Sequence, residues 1–428
     1  MPRRYGLIVH GAAGFTGRQA LPYMASRAAE LKLPWAIAGR NGGKLASLAA
    51  SLPAPRPAIV VADATDDKAL RELAADATAV VSFLGPHAPL GDVLVAECVS
   101  AGTHYADLCG ENDVIAQRLV RFDSRARQAK IKLIPACGYE SVPFDLLALG
   151  LHDEFRRADG SRLQRVVAEA SFVFHRNPLR FGHGNSGGTL ATLRRLVEDD
   201  ELTDTFRFAR AASALPPTEH APELQLRVRR SADGDWMAPL MPTPFLNPAV
   251  IYLTSARLRD GQGGYAPGFT YEETLNMSAS FGSALLALPA AKGSAALLRR
   301  IAAMSKGRRS LGDRVALAAL TALSPESGDG PSPATLDAID YRIRARGYSS
   351  SGLTADAAVN AAGHPGYRSA AKILAEVGIA LAGGRSIPGR SGVLTPASAF
   401  ELDLTDALAG GGVRFEFHAP RKSTEDEV

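Results

Sequence analysis

A short apolar run that empties into three evenly spaced glycines limits most strongly what this chain can fold into. In Tyr5-Gly-Leu-Ile-Val-His-Gly-Ala-Ala-Gly-Phe-Thr-Gly17, the residues Leu7, Ile8 and Val9 read as a buried parallel strand. Gly11, Gly14 and Gly17 follow at intervals of three. Gly11 permits a tight turn, Gly14 lets backbone amides approach a pyrophosphate, and Gly17 lets the next helix pack close to the strand. A pyrophosphate there rests on the positive N-terminus of that helix. The predicted contacts are Gly11, Ala13, Gly14, Phe15, Thr16 and Gly17. The first interval is one residue wider than in G-x-G-x-x-G, and a purely structural turn is the alternative. The position after a strand and before a helix-like stretch at 18–31 favours a dinucleotide.

The next strand discriminates between cofactors. Ala36-Ile-Ala-Gly-Arg-Asn41 ends where an NAD-binding fold places an acid for the ribose 2′-hydroxyl, yet no Asp or Glu occurs between Glu30 and Asp63. Gly39, Arg40 and Asn41 stand there instead, with Lys44 a turn further on. A guanidinium suits a 2′-phosphate, so NADP is expected over NAD; a solvated arginine at a helix start is the plain alternative. Asp63 and Ala64, ending a third strand, are placed at the adenine. Leu84, Gly85 and Pro86, ending a fourth, are placed at the nicotinamide ribose. With helical stretches at 17–31, 42–52, 66–75 and 90–101, these strands describe an α/β fold with a Rossmann-type, doubly wound parallel sheet.

The 428 residues exceed one ordinary domain, and 46% apolar with 21% charged residues is a soluble, globular composition. The net charge of +4 comes from scattered arginines without an aromatic-interleaved basic block, so no nucleic-acid partner is expected. Cys98, Cys109 and Cys137 lack C-x-x-C spacing, which fits a reducing cytoplasm without a disulfide framework. The first strand begins too early to leave room for a signal peptide, so a cytoplasmic location is expected. Residues 281–304 are largely apolar but broken by Lys292, Arg299 and Arg300. Segment 281–309 reads as a buried helix with a solvated basic end, or as an amphipathic surface touching a membrane.

Further motifs follow in order: Gly102-Thr-His-Tyr-Ala-Asp-Leu-Cys-Gly-Glu111, Ile134-Pro-Ala-Cys-Gly-Tyr-Glu-Ser-Val-Pro-Phe-Asp145, Ser186-Gly-Gly-Thr189, His364-Pro-Gly-Tyr-Arg-Ser-Ala-Ala-Lys372 and Gly392-Val-Leu-Thr-Pro-Ala397. This series resembles the saccharopine-dehydrogenase-like oxidoreductases. Within them it looks most like the bacterial trans-acting enoyl reductases of polyketide-type lipid synthesis. The resemblance spans nearly the whole chain and is weakest over 200–340. It implies an NADP-dependent oxidoreductase acting on a small-molecule or carrier-bound acyl substrate, and it is compatible with a homodimer.

Ligands of an open α/β sheet bind beyond the carboxyl ends of the strands. Cys137 and Gly138, after the apolar strand 132–136, are placed at the nicotinamide, with an inert buried thiol as the alternative for Cys137. Tyr139, Tyr105 and Ser186 are the candidate donors, Tyr139 first because it follows the strand end directly. Packed tyrosines and a tight turn at 186–189 are the plain alternatives. No tyrosine has a lysine four residues on, no H-E-x-x-H occurs, and no metal site is expected. Gly184-Asn-Ser-Gly-Gly188 matches a nucleophile elbow, but Asn177-Pro178 separates it from the nearest strand.

Two other functions share the fold. An amino-acid reductase of the saccharopine type needs arginines in its crevice, and Arg176 and Arg180 are available. A non-catalytic, NADP-binding, membrane-associated protein is the other. The expected organisation is a nucleotide domain at 1–145 and an α+β domain with a mixed sheet at 146–350. A segment at 351–420 packs back on the first domain, and 421–428 is a disordered tail. Strands are expected at 166–175, 224–230, 270–277 and 413–417, and helices at 188–197 and 367–382.

Overall fold

The computed structural model describes residues 3–175, 195, 209, 211–212, 226–231, 233–240, 243–258, 263–281, 284–303, 310, 329–383 and 389–423. The apolar runs fold into β1 (Tyr5–His10), β2 (Trp35–Gly39), β3 (Ala58–Val61), β4 (Ala77–Ser82), β5 (His104–Asp107) and β6 (Lys132–Ile134). They pair in parallel in the order β6-β5-β4-β1-β2-β3. Leu7, Ile8 and Val9 have no solvent exposure. Continuous rather than alternating hydrophobicity follows because helices cover both faces of such a sheet. Those helices are α1 (Phe15–Glu30), α2 (Gly42–Ser51), α3 (Asp67–Asp76), α4 (His87–Leu90), α5 (Asp92–Ala101) and α6 (Asn112–Gln128). Strand order reverses between β1 and β4, which opens a crevice above that pair.

α7 (Val142–Asp159) leaves the first sheet and leads to β7 (Leu163–Phe174), the centre of a second, mixed sheet. Its partners are β8 (Arg229–Arg230), β9 (Trp236–Ala238), β10 (Thr270–Asn276), β11 (Ile339–Ser349), β12 (Leu353–Ala361) and, past β13 (Gly392–Val393), β14 (Val413–Phe417). The order is β14-β12-β11-β7-β10-β9-β8, with only β7 and β10 parallel. Ile339, Tyr341, Ile343 and Ala345 alternate as buried positions on β11, and the last three pack with α7 into the common core.

The chain after β12 returns to the first sheet. β13 adds a parallel strand beside β6. Helix α8 (Ala370–Ala382) lies so close that a Cβ on Gly378 would come 2.6 Å from Val81 Cγ1. Its buried Glu376 accepts from Tyr23 Oη at 2.6 Å and Arg27 Nε at 2.8 Å, both on α1. Two expected boundaries therefore move. A division at 350/351 cuts the β11–β12 hairpin, whose eight-rung ladder from Tyr341↔Ala361 to Tyr348↔Thr354 belongs wholly to the second sheet. The charged tail cannot begin at Arg421, since Arg421 and Lys422 pair with Thr354 and Leu353. Of the strand expected at 224–230, the described part shows only Arg229–Arg230. The helix expected at 188–197 and Ser186 lie outside the described residues, Arg195 excepted.

Among the described residues no helix is long and apolar enough to cross a membrane. The helix Ala284–Ala303 buries Ala287, Ala291, Ala295 and Leu298 at helical spacing, the first two against Ala238 and Met277. Leu286 and Leu297 stay exposed.

Candidate active site

The glycine loop has the geometry of a nucleotide cradle. Gly11 has φ +74° and donates to Ala38 O at 3.0 Å, and Gly14 donates to Gly11 O at 3.0 Å. A Cβ on Gly11 would come 3.0 Å from Leu84 N. One on Gly17 would fall on Gly11 O and 3.1 Å from Ala12 Cα, both backbone atoms that cannot swing aside. Gly14 caps α1 without any side-chain bond, and no acid stands in the first turn, so a helix N-terminus meets the cleft with donors for an anion. Ala13, Phe15 and Thr16 are half-buried around it. Gly39 ends β2, and Arg40 follows it, exposed, with Asp63 as an electrostatic neighbour. Asn41 Oδ1 caps α2 by accepting from Lys44 N at 2.9 Å. Asp63 Oδ1 accepts from Thr65 N and Oγ1, which fixes the turn at Ala64. Leu84 is half-buried beside exposed Gly85 and half-buried Pro86, and a Cβ on Gly85 would meet nothing within 4 Å. The residues present thus fit a dinucleotide running from the β3 side of the sheet to the ends of β4 and β6.

The strand ends beyond β4 hold two different environments. At β5, Asp107 Oδ2 accepts from Tyr105 Oη at 2.8 Å and from Arg118 Nη1 at 2.7 Å, with His87 Nδ1 at 3.3 Å. Burial alone would raise the Asp107 carboxyl, but Arg118 and His87 outweigh it and hold it well below the usual range. Tyr105, named from the sequence as a donor, directs its hydroxyl to Asp107 instead of the cleft. His87, Cys109 and Glu111 lie within 4.8 Å of one another. The Glu111 carboxylate, however, accepts from the backbone N–H of His87 and Ala88 and pairs with Arg195, so its charge is already balanced.

The environment at β6 has no such compensation. The Cys137 side chain turns into the core, its thiol directed to Ile134 O at 3.2 Å and raised well above the ordinary value by burial. It does not line the cleft. Gly138 lies beneath the Glu140 carboxylate, which a Cβ would overlap. The Tyr139 ring packs edge-on to Tyr341 at 4.6 Å and Phe144 at 6.1 Å, and its buried hydroxyl has no hydrogen-bond partner among the described residues. Burial, then Tyr341, Glu140 and Glu273, push that phenol up and keep it protonated. Burial raises the Glu140 carboxyl as well, and it lowers the His364 imidazole to about 4. His364 stacks at 4.9 Å on Tyr367, whose ring meets Phe15 of the glycine loop at 5.0 Å. Glu140 and His364 were not singled out from the sequence, although both lie inside motifs that the family resemblance rests on.

Residues 7–134 match the family described as the saccharopine dehydrogenase NADP binding domain. A trans-acting enoyl reductase of Mycobacterium ulcerans is 30% identical over 434 residues, covering 96% of this chain and 97% of that protein. A trans-acting enoyl reductase of Mycobacterium tuberculosis is 28% identical over 426 residues, with 96% and 97% covered. Among solved structures, apo saccharopine dehydrogenase (L-Glu forming) from Saccharomyces cerevisiae superposes with a TM-score of 0.51 at 16% identity. It covers 96% of this chain and 99% of that one, a likeness of fold. The chain belongs to the saccharopine-dehydrogenase-like family and is an NADP-dependent oxidoreductase.

Proposed function

We propose that the protein is an enoyl reductase that saturates the carbon–carbon double bond of an acyl or polyketide-type lipid intermediate, free or carrier-bound. The observation that carries this reading is the buried Tyr139 hydroxyl at the end of β6, without a hydrogen-bond partner among the described residues and kept protonated by burial. NADPH, when bound, supplies a hydride. Gly11, Gly14 and Gly17 hold its pyrophosphate against α1, Arg40 holds the 2′-phosphate, and Gly85 keeps the space over β4 open. Tyr139 holds its proton until negative charge develops on the substrate, then donates it to the carbon next to the carbonyl. A saccharopine-type reductase binds several carboxylates and needs arginines at this spot. Among the described residues none is paired with Tyr139, Glu140 or His364, and Arg368 is engaged with Asp337 and Gln19.

The test is NADPH oxidation with an enoyl thioester such as a crotonyl thioester. Wild type is expected to turn over. Tyr139→Phe is expected to lose on the order of 10²-fold or more in kcat with NADPH affinity unchanged. Absence of NADPH oxidation by wild type with enoyl thioesters, free and carrier-bound, overturns the reading.

A further inference from the structure

The helix Ala284–Ala303 has two unlike sides. Ala287, Ala291, Ala295 and Leu298 are buried on one. On the other, Leu286 is 50% and Leu297 51% exposed, and Lys292, Arg299 and Arg300 are exposed as well. Leu286 and Leu297 stand about three turns apart on one stripe, and Lys292 and Arg299 about two turns apart on another. The charge here has a single sign. No acid occurs between Glu273 and Asp313, a stretch that carries Lys292, Arg299, Arg300, Lys306, Arg308 and Arg309. Elsewhere exposed helices pair their own bases, Lys68 with Glu72 on α3 at 3.9 Å and Arg127 with Asp123 on α6 at 3.0 Å. Such a pair cannot form on a helix without acids. Arg299 donates to Leu226 O at 2.9 Å, an uncharged acceptor that leaves its charge in place. Leu226 leads into β8 and β9, where Arg230 lies 4.8 Å over the ring of half-buried Trp236. Trp236 packs on the same cluster as Ala287 and Ala291. The acids of that hairpin, Asp233 and Asp235, stand in its turn, and Asp235 accepts from Asn276 Nδ2 at 2.9 Å. Leucines scattered singly over a surface need no explanation. Leucines on one stripe beside a stripe of bases are the pattern of a helix lying in the plane of an anionic bilayer. A phosphate-rich polymer would satisfy the bases alone, whereas the leucines call for an apolar medium behind the charge.

We propose that the outer face of the helix Ala284–Ala303 docks the protein on the surface of an anionic phospholipid bilayer, with Leu286 and Leu297 at the acyl boundary and Lys292 and Arg299 on lipid phosphates. The helix lies on the bilayer, since it is not long and apolar enough to cross it. Few apolar residues enter, so the contact is reversible and depends on charge. Docking of this kind is independent of the reductase reading, because it uses no residue of the nucleotide cleft.

The experiment is co-sedimentation of the full-length protein with vesicles of phosphatidylcholine alone and of phosphatidylcholine mixed equally with phosphatidylglycerol. Wild type is expected to bind the mixed vesicles about tenfold or more tighter than the neutral ones. It should release them in about 1 M salt, where the Debye length is about 3 Å. Lys292→Glu is expected to weaken binding to the mixed vesicles by about tenfold or more, and Leu297→Gln by about threefold or more. Val120→Gln, at an apolar side chain 77% exposed on α6, is expected to bind like wild type. NADPH affinity should be unchanged in all three variants, which shows that the fold is intact. Absence of binding to the mixed vesicles, or equal binding to the neutral ones, overturns the proposal. So does binding that neither Lys292→Glu nor Leu297→Gln weakens, or that Val120→Gln weakens as much as Leu297→Gln.

Discussion

Arg40 shows how a single residue sets cofactor choice. It is exposed just past the end of β2, where an acid would otherwise stand, with Asp63 as an electrostatic neighbour. Its replacement by Asp is expected to weaken NADPH by about 1.5–3 kcal/mol, the range for charge-assisted hydrogen bonds, and to leave NADH unchanged or tighter. Fluorescence titration with both nucleotides reads this directly, and an unchanged NADPH/NADH ratio would refute the assignment. Much at this scale is legible in the sequence, because the glycine spacing encodes backbone clearance. Gly17 must be glycine since Gly11 O occupies the place of its side chain. The two tyrosines were harder to separate. Tyr105 and Asp107 are two apart on a strand and so share a face, which was a readable sign that the hydroxyl is engaged. Glu140 and His364 gave no comparable sign, because only the fold brings positions more than two hundred residues apart beside Gly366.

At the scale of elements, Asp145 locks three of them together. It opens α7, its Oδ2 accepts from Ala397 N at 2.9 Å, and its Oδ1 accepts from Thr254 Oγ1 in the helix Asn247–Leu258. The Phe144-Asp145 and Thr395-Pro-Ala397 motifs are thus two halves of one joint. Burial raises the Asp145 carboxyl to about 7 against the opposing bonds from Thr254, Ala397 and Thr395. A folded-state value above the unfolded one means the folded state binds more protons between about pH 4 and 7. The stability from this group is therefore complete below about pH 4 and declines as pH rises towards 7. Glu273, also raised to about 7 by burial, acts in the same window. Denaturant unfolding across that window should show wild type losing on the order of 3 kcal/mol relative to Asp145→Asn, and parallel pH profiles would contradict the role. Strand positions were readable because apolar runs mark them. The β11–β12 hairpin was split because its turn, Ser349-Ser-Ser-Gly352, carries a loop composition that also suits a domain boundary.

At the scale of the whole molecule, the two sheets share one core, and the chain crosses between them more than once. Cooperative unfolding follows. Calorimetry is expected to give one transition, displaced as a unit by NADP⁺ by about 2.7 kcal/mol at a hundredfold excess over Kd. Two resolved transitions, only one of which moves, would show independent domains. The mixed second sheet was foreseeable from alternating strands, but not that its last strand, β14, pairs with β12 across the excursion through α8 and β13. That excursion has a consequence for synthesis. Leu7 and Val81 are covered by α8, and β6 gains its outer neighbour from Gly392–Val393. During synthesis the nucleotide loop therefore emerges long before the segments that seal the sheet beneath it. A truncated product is left with an open apolar face and an unpaired strand edge, the features that chaperones and proteases act on.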